Sequence, residues 1–218
     1  MHPIFRGLTV AALSMMALAC SAGDAPAQFS EGKQYKQVRE VQKPVDPKRV
    51  SVEEFFWFGC PHCYAFDPTI SAWAKKVPGD VDFVRVPATL GRPVGVVHAK
   101  AFYAAEALNV AEQMHLPLFQ ALQEGHSMLQ TEAQIGQMFN QVTGVLPDVF
   151  SSTFNSFAVD SRQRKAEQLA RDYGITGVPT VIVGGKYMTS PAMANGFPEA
   201  TQVIDFLIEK IRQERAGK

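Results

Sequence analysis

From residue 50 onward the apolar positions switch period repeatedly, and each switch marks an element. Val50 to Phe58 (VSVEEFFWF) is rich in Val and Phe and is closed by Gly59, which predicts a buried strand. From Pro61 the period becomes helical: Phe66, Ile70, Trp73 and Val77 recur at spacings of four, three and four. Pro78-Gly79 stops that helix, and Val81 to Val86 (VDFVRV) alternates as a strand should. After Gly91-Arg92-Pro93 the texture is helical, with helices expected at His98–Leu108, Leu116–Gln123, Thr131–Val142, Pro147–Phe157 and Asp160–Tyr173. Gly174 ends the last of these. Thr180 to Val183, a Gly184-Gly185 turn and Lys186 to Met188 read as a hairpin. Pro198 to Arg215 closes the chain as an amphipathic helix with Val203, Phe206, Leu207 and Ile211 on its apolar face.

Two β-containing segments separated by a run of helices predict an α/β domain with an all-helical insertion. The expected division is 28–90 and 169–218 for the α/β part and 91–168 for the insertion. Residues 28–49 are polar and read as an irregular lead-in with one short strand.

Residues 1–27 have a different character. Arg6 precedes an apolar run from Leu8 to Leu18, and small residues follow, as in a secretory signal. The run is too short to span a bilayer, which takes roughly 20 apolar residues. Cleavage after Ala25-Pro26-Ala27 would give an ordinary exported protein. Cleavage after Ala17-Leu18-Ala19 would leave Cys20 at the new N-terminus, as in a lipoprotein, although Ala17 and Leu18 stand where Leu and then a small residue are usual.

Composition narrows the function. With 46% hydrophobic and 19% charged residues the chain is neither disordered nor a polytopic membrane protein. Lys and Arg total 21, as do Asp and Glu, so no net charge draws it to nucleic acid or an anionic surface. The three cysteines, Cys20, Cys60 and Cys63, are too few for a disulfide-stapled fold.

Chemistry concentrates at Cys60-Pro61-His62-Cys63. A C-x-x-C pair that follows a buried strand and opens a helix suits disulfide exchange. Unsatisfied N–H groups and the positive end of the macrodipole stabilise a thiolate at Cys60. Pro61 costs little in a first helical turn, and His62 adds a donor beside the sulfur. Stabilising the thiolate favours the reduced protein and makes the disulfide the stronger oxidant. Two other readings remain open at this point. The pair could be half of a metal site, although His62, His98, His115 and His126 complete no Cys2His2 spacing. It could also be a structural bridge, although so short a loop constrains little chain entropy. His98, His115 and His126 otherwise read as surface or helix-packing residues, and Trp57 and Trp73 as core.

Phe55-Phe56-Trp57-Phe58-Gly59-Cys60-Pro61-His62-Cys63-Tyr64 resembles the active site of the bacterial periplasmic thiol:disulfide oxidoreductases of the DsbA family. The likeness continues through Ala27-Gln28-Phe29, Gly32-Lys33-Gln34-Tyr35, Pro117-Leu118-Phe119, Asn155-Ser156-Phe157 and Gly177-Val178-Pro179. It implies a thioredoxin fold with an inserted helical domain, and it supports cleavage before Gln28. By the same resemblance Cys60 and Cys63 are catalytic, Pro61 and His62 tune their redox poise, and Val178 with a cis-Pro179 binds substrate. Glu54 matches a buried family glutamate near the cysteines, the alternative being a solvent-facing strand position. The strand lysine that accompanies it in the family stands here as Arg85, which keeps the charge but does not deprotonate.

The expected activity is donation of the Cys60–Cys63 disulfide to newly exported, reduced proteins in the periplasm. No cofactor and no metal are expected. A DsbB-like, quinone-linked membrane oxidase would restore the disulfide, nucleic acid is not a partner, and a monomer is expected. The alternatives are a reductase or isomerase of the same fold, and a metal-binding or holdase protein whose dithiol is not catalytic.

Overall fold

The computed structural model describes residues 29–125 and 127–217. The expected leader with Cys20, and His126, lie outside the described residues. Five strands form one sheet: β1 (Lys36–Gln37), β2 (Val50–Phe56), β3 (Val81–Pro87), β4 (Thr180–Val183) and β5 (Tyr187–Thr189), in the order β1-β5-β4-β2-β3. β2 pairs in parallel with β3, and the other pairings are antiparallel. Apolar layers cover both faces of β4, which is buried throughout, whereas β2 keeps Ser51 and Glu53 on the same side as Phe55. Period two still sorts their side chains. Val50, Val52, Val181 and Val183 enter one core, while Phe55 and Ile182 enter the other.

The first core lies under α1 (Pro61–Ala74) and α8 (Phe197–Ala216). Phe66 and Ile70 of α1 are fully buried there, as are Val203, Ile204 and Leu207 of α8. Burying a side chain of this size contributes about 1.5–3 kcal/mol. Phe206 sits at the edge instead, with its ring 5.6 Å from that of Phe29.

The second core joins the opposite face to the helical insertion: α2 (Pro93–Ala107), α3 (Ala111–Gln123), α4 (Glu132–Thr143), α5 (Pro147–Phe154) and α6 (Phe157–Tyr173). Local signals set these boundaries. Pro occupies the first turn of α2 and of α5, where its missing N–H is not needed. Thr131 and Gln134 form a reciprocal capping box on α4. Gly144 and Gly174 end α4 and α6 in the left-handed conformation that favours glycine. At Gly136 a Cβ would lie 2.8 Å from the Phe150 ring, so glycine lets α4 approach α5 closely. α6 runs unbroken across residues 168 and 169, where the sequence suggested a division, and so belongs to the insertion and the sheet at once.

Three helices begin well ahead of where their periodicity suggested, α6 at Phe157 rather than Asp160 among them. α2 starts at Pro93 and α3 at Ala111, five residues ahead of His98 and Leu116 in each case. A four-residue helix, α7 (Pro191–Ala194), lies in a stretch where no element was expected. No helix among the described residues is long and apolar enough to cross a membrane.

Candidate active site

β2 delivers the chain to the cysteines through a tight turn. The Cys60 N–H donates to the Trp57 carbonyl at 2.9 Å, and the N–H groups of Cys63 and Tyr64 both donate to the Cys60 carbonyl at 3.1 Å. Cys60 is therefore the residue that caps α1, with an extended backbone (φ −98, ψ 116) and Pro61 next. Its sulfur sits where the first free N–H groups of the helix converge. Cys60 is half-buried, whereas Cys63 is fully buried.

The two sulfurs therefore titrate in opposite directions. The Cys63 thiol donates to the Cys60 sulfur, and this is the largest reason that the Cys60 pKa is lowered to about 5. Burial opposes the shift, while the N–H groups of Cys63 and His62 and the His62 side chain add to it. The same hydrogen bond, together with burial, pushes Cys63 far up. One proton is held between the two sulfurs, and it stays on Cys63. The sequence had pointed to the helix terminus and His62; the structure ranks the Cys63 thiol above both.

Val178 and Pro179 face this pair. The Val178–Pro179 peptide bond is cis, and the Val178 carbonyl lies 3.6 Å from the Cys60 sulfur. The Thr180 hydroxyl donates to the Gly177 carbonyl at 2.8 Å and closes the loop. Beside it opens a groove of about 400 Å³, walled by Val178, Pro179, Pro191, Ala192 and Phe197, with His62 at its rim. Every wall residue but His62 is apolar or presents only backbone. Phe197 and α7 give this groove its far wall, and no periodicity marked them beforehand. The one local signal is an aromatic residue placed directly after Gly196, where α8 begins.

Glu54 is buried, at 2% exposure, which removes the solvent-facing alternative. The β2–β3 register sets it opposite Arg85, whose Nε donates to its carboxylate at 3.1 Å. Burial raises the Glu54 pKa to about 7, with Arg85 opposing and Asp67 reinforcing the shift. Arg85 also donates to Asp67 at 3.1 Å, and His115 Nε2 donates to the same oxygen at 2.7 Å. Burial would raise the Asp67 pKa, but His115 and Arg85 outweigh it and hold the carboxyl below its usual range. Asp67 lies four residues after Cys63, one helical turn along α1, so its proximity to the pair was readable from spacing. Its partner His115 comes from α3 and was not.

The helical insertion grips the motif from the other side. Gln123 donates to the Phe58 carbonyl at 2.8 Å, Tyr64 bonds Glu124, and the Trp57 indole donates to His98 at 3.0 Å. Trp57 and Trp73 are half-buried, and each is tied by its indole N–H, Trp73 to Asp205 at 2.8 Å.

Comparison with known proteins agrees with this geometry. The model of the DSBA-like thioredoxin domain family matches residues 51–202. The chain belongs to the DsbA family. It is 39% identical over 203 residues to the thiol:disulfide interchange protein DsbA of Pseudomonas aeruginosa, covering 93% of each chain. Identity to the DsbA of Azotobacter vinelandii is 37% over 219 residues, covering 100% of both. Among solved structures, Pseudomonas aeruginosa DsbA superposes with a TM-score of 0.81 at 39% identity, covering 87% of this chain and 97% of that one. NmDsbA1 of Neisseria meningitidis gives 0.77 at 25% identity, covering 89% and 100%. The α/β domain with a helical insertion, expected from the order of elements, is the thioredoxin fold of this family, as the resemblance implied.

Proposed function

We propose that this thiol:disulfide oxidoreductase donates its Cys60–Cys63 disulfide to reduced, exported proteins. A substrate thiolate attacks the Cys60 sulfur and forms a mixed disulfide, and the Cys60–Cys63 bond breaks. Cys63 leaves with the bonding electrons and takes up a proton, as its raised pKa requires. A second substrate thiolate then attacks the substrate sulfur of the mixed disulfide and expels Cys60 as a thiolate. The substrate is oxidised by two electrons and the protein is left as a dithiol.

The observation that carries this reading is the opposed environment of the two sulfurs. A half-buried but accessible, stabilised thiolate at Cys60 is a good leaving group, and it lowers the energy of the reduced protein, so electrons flow toward the enzyme. Pro61 and His62 belong to that tuning through the helix turn they form. Glu54, buried at the floor of the site, adds a titratable group near Cys63. The Val178 carbonyl is placed to accept a main-chain N–H from an extended substrate segment, which would align a sulfur with Cys60 without reading side chains. The apolar groove next to it suits the exposed hydrophobic residues of unfolded clients.

A donor that gives away its disulfide must recover it from a stronger oxidant, for which a DsbB-like, quinone-linked membrane protein is the proposed partner. The proposed compartment is the periplasm, reached by the leader in residues 1–27, and the proposed unit is a monomer. The family resemblance of Ala27-Gln28-Phe29 supports cleavage before Gln28, with lipidation of Cys20 the alternative. An intact mass beginning at Gln28 distinguishes the two from a diacylated Cys20.

The test is to incubate oxidised protein with an unfolded, reduced two-cysteine substrate and to follow both redox states. The substrate should become oxidised as Cys60 and Cys63 become reduced, one for one, with no metal added, and Cys60→Ser should abolish the transfer. Net reduction of a disulfide-bonded substrate under the same conditions would identify a reductase instead.

A further inference from the structure

His98 stands on α2, 3% exposed, between the cysteine turn and the helical insertion. Its tautomer follows from its partners. The Trp57 indole N–H can only donate, so His98 Nδ1, 3.0 Å away, must be the acceptor. Nε2 then carries the proton and donates to the Leu129 carbonyl at 3.1 Å. The imidazole is neutral, and burial, which lowers its pKa, keeps it so. The two ring planes lie 24° apart, with centroids separated by 6.1 Å. Leu129, in the α3–α4 connection, holds a left-handed backbone (φ +41) that a leucine adopts at a cost.

Trp57 is the residue whose backbone both cysteines use. Its carbonyl receives the Cys60 N–H at 2.9 Å, and its own N–H acts on the Cys63 sulfur. Its indole lies over Gly59, where a Cβ would come within 2.4 Å of the ring, and Arg92 stacks on it at 5.4 Å. The indole therefore cannot shift without moving the turn that precedes Cys60.

We propose that His98 is a positioning residue for disulfide exchange, locking the Trp57 turn to the helical insertion so that the Cys63 sulfur lines up with Cys60 when Cys63 resolves a mixed disulfide and the enzyme's own disulfide re-forms. The inference rests on the proposed function, with Cys60 as the more accessible sulfur and Cys63 as its buried partner. Attack by Cys60 on a small soluble disulfide makes little demand on the turn. Resolution demands more, because three sulfurs must become collinear inside one loop.

An aromatic disulfide reagent that releases a coloured thiolate separates the two steps. The Cys60 thiolate displaces one aryl thiolate and becomes a mixed disulfide. Cys63 then loses its proton to solvent, attacks the Cys60 sulfur and expels the second aryl thiolate. His98→Leu should slow the second release about tenfold, the scale of one hydrogen bond in a geometry-limited step, and the first release much less. Trp57→Phe deletes the same bond from the other side and should act likewise. The double variant should be no slower than the slower single one. His98→Gln, which keeps an acceptor and a donor, should recover most of the rate.

Equal slowing of both releases, additive effects in the double variant, or a glutamine variant no better than leucine would overturn the proposal. Trp57→Phe and the double variant keep it testable should His98→Leu fold poorly. A wild-type protein that released only one aryl thiolate would overturn the reading of the cysteine pair itself, and with it the inference.

Discussion

The two flanks of the cysteine motif differ in kind. On the Val178–Pro179 flank the walls are apolar and open, and the Val178 carbonyl facing the Cys60 sulfur at 3.6 Å has a second lone pair with which to accept a hydrogen bond. On the insertion flank the contacts are closed hydrogen bonds: Gln123 to Phe58, Tyr64 to Glu124, Trp57 to His98. Paired polar groups inside a protein fix geometry, whereas an apolar groove with a spare acceptor is a surface that another chain can complete. The division of labour follows from that contrast. One flank receives the substrate, and the other holds the sulfurs still.

Charging the open flank should break the comparison most visibly. Ala192 is exposed on the groove wall and packs on nothing essential, so Ala192→Glu leaves the fold intact. It should lower kcat/KM for unfolded protein substrates roughly thirtyfold, about 2 kcal/mol for desolvating a charge against an apolar client. Oxidation of a small dithiol should be unaffected. An equal loss with both substrates would mean that the groove is not where clients bind.

His62 stands between the flanks, at the groove rim and beside Cys60. His62→Ala removes one donor to the thiolate and nothing from the disulfide. Equilibration with glutathione should shift about fivefold toward the oxidised protein, the worth of one hydrogen bond. An unchanged constant would make His62 a bystander.

Gln123→Ala on the closed flank should have the smallest effect on activity, less than about threefold and the same for large and small substrates. Its main cost is about 1 kcal/mol of stability, from the lost bond to Phe58. Chemical denaturation of the variant measures it. A loss confined to large substrates would place client binding on this flank too.

The open flank and the motif were largely legible in the sequence. Strand β2, the opening of α1 by Pro61 and the Gly184-Gly185 turn lie in short stretches whose residue types fix their conformation, whereas the cis bond at Val178–Pro179 was expected only through the family resemblance. The Glu54–Arg85 pair was expected only through the family resemblance, and the parallel register of β2 and β3 is what aligns it. The closed flank was not legible. Trp57 meets His98 across 41 residues and Gln123 meets Phe58 across 65, and only the packing of the insertion brings them together. His98 read as a helix-packing residue because an apolar helix face conceals a single buried acceptor. The early start of α2 has a local origin instead. Pro93, taken as part of a break, is the first residue of a helix, where proline is at home.

The central claim is that Cys60 carries a thiolate at neutral pH while Cys63 keeps its proton. Ultraviolet thiolate absorbance of the reduced protein, followed against pH, tests it directly. For a lowered pKa the sign is fixed: the thiolate stabilises the reduced fold above the ordinary thiol range, and that stabilisation is lost as pH falls through about 5. The account predicts one thiolate appearing near pH 5, absent in Cys60→Ser, with the second thiol silent to well above neutrality. Two thiols titrating together in the range of free cysteine, about 8.5, would contradict it.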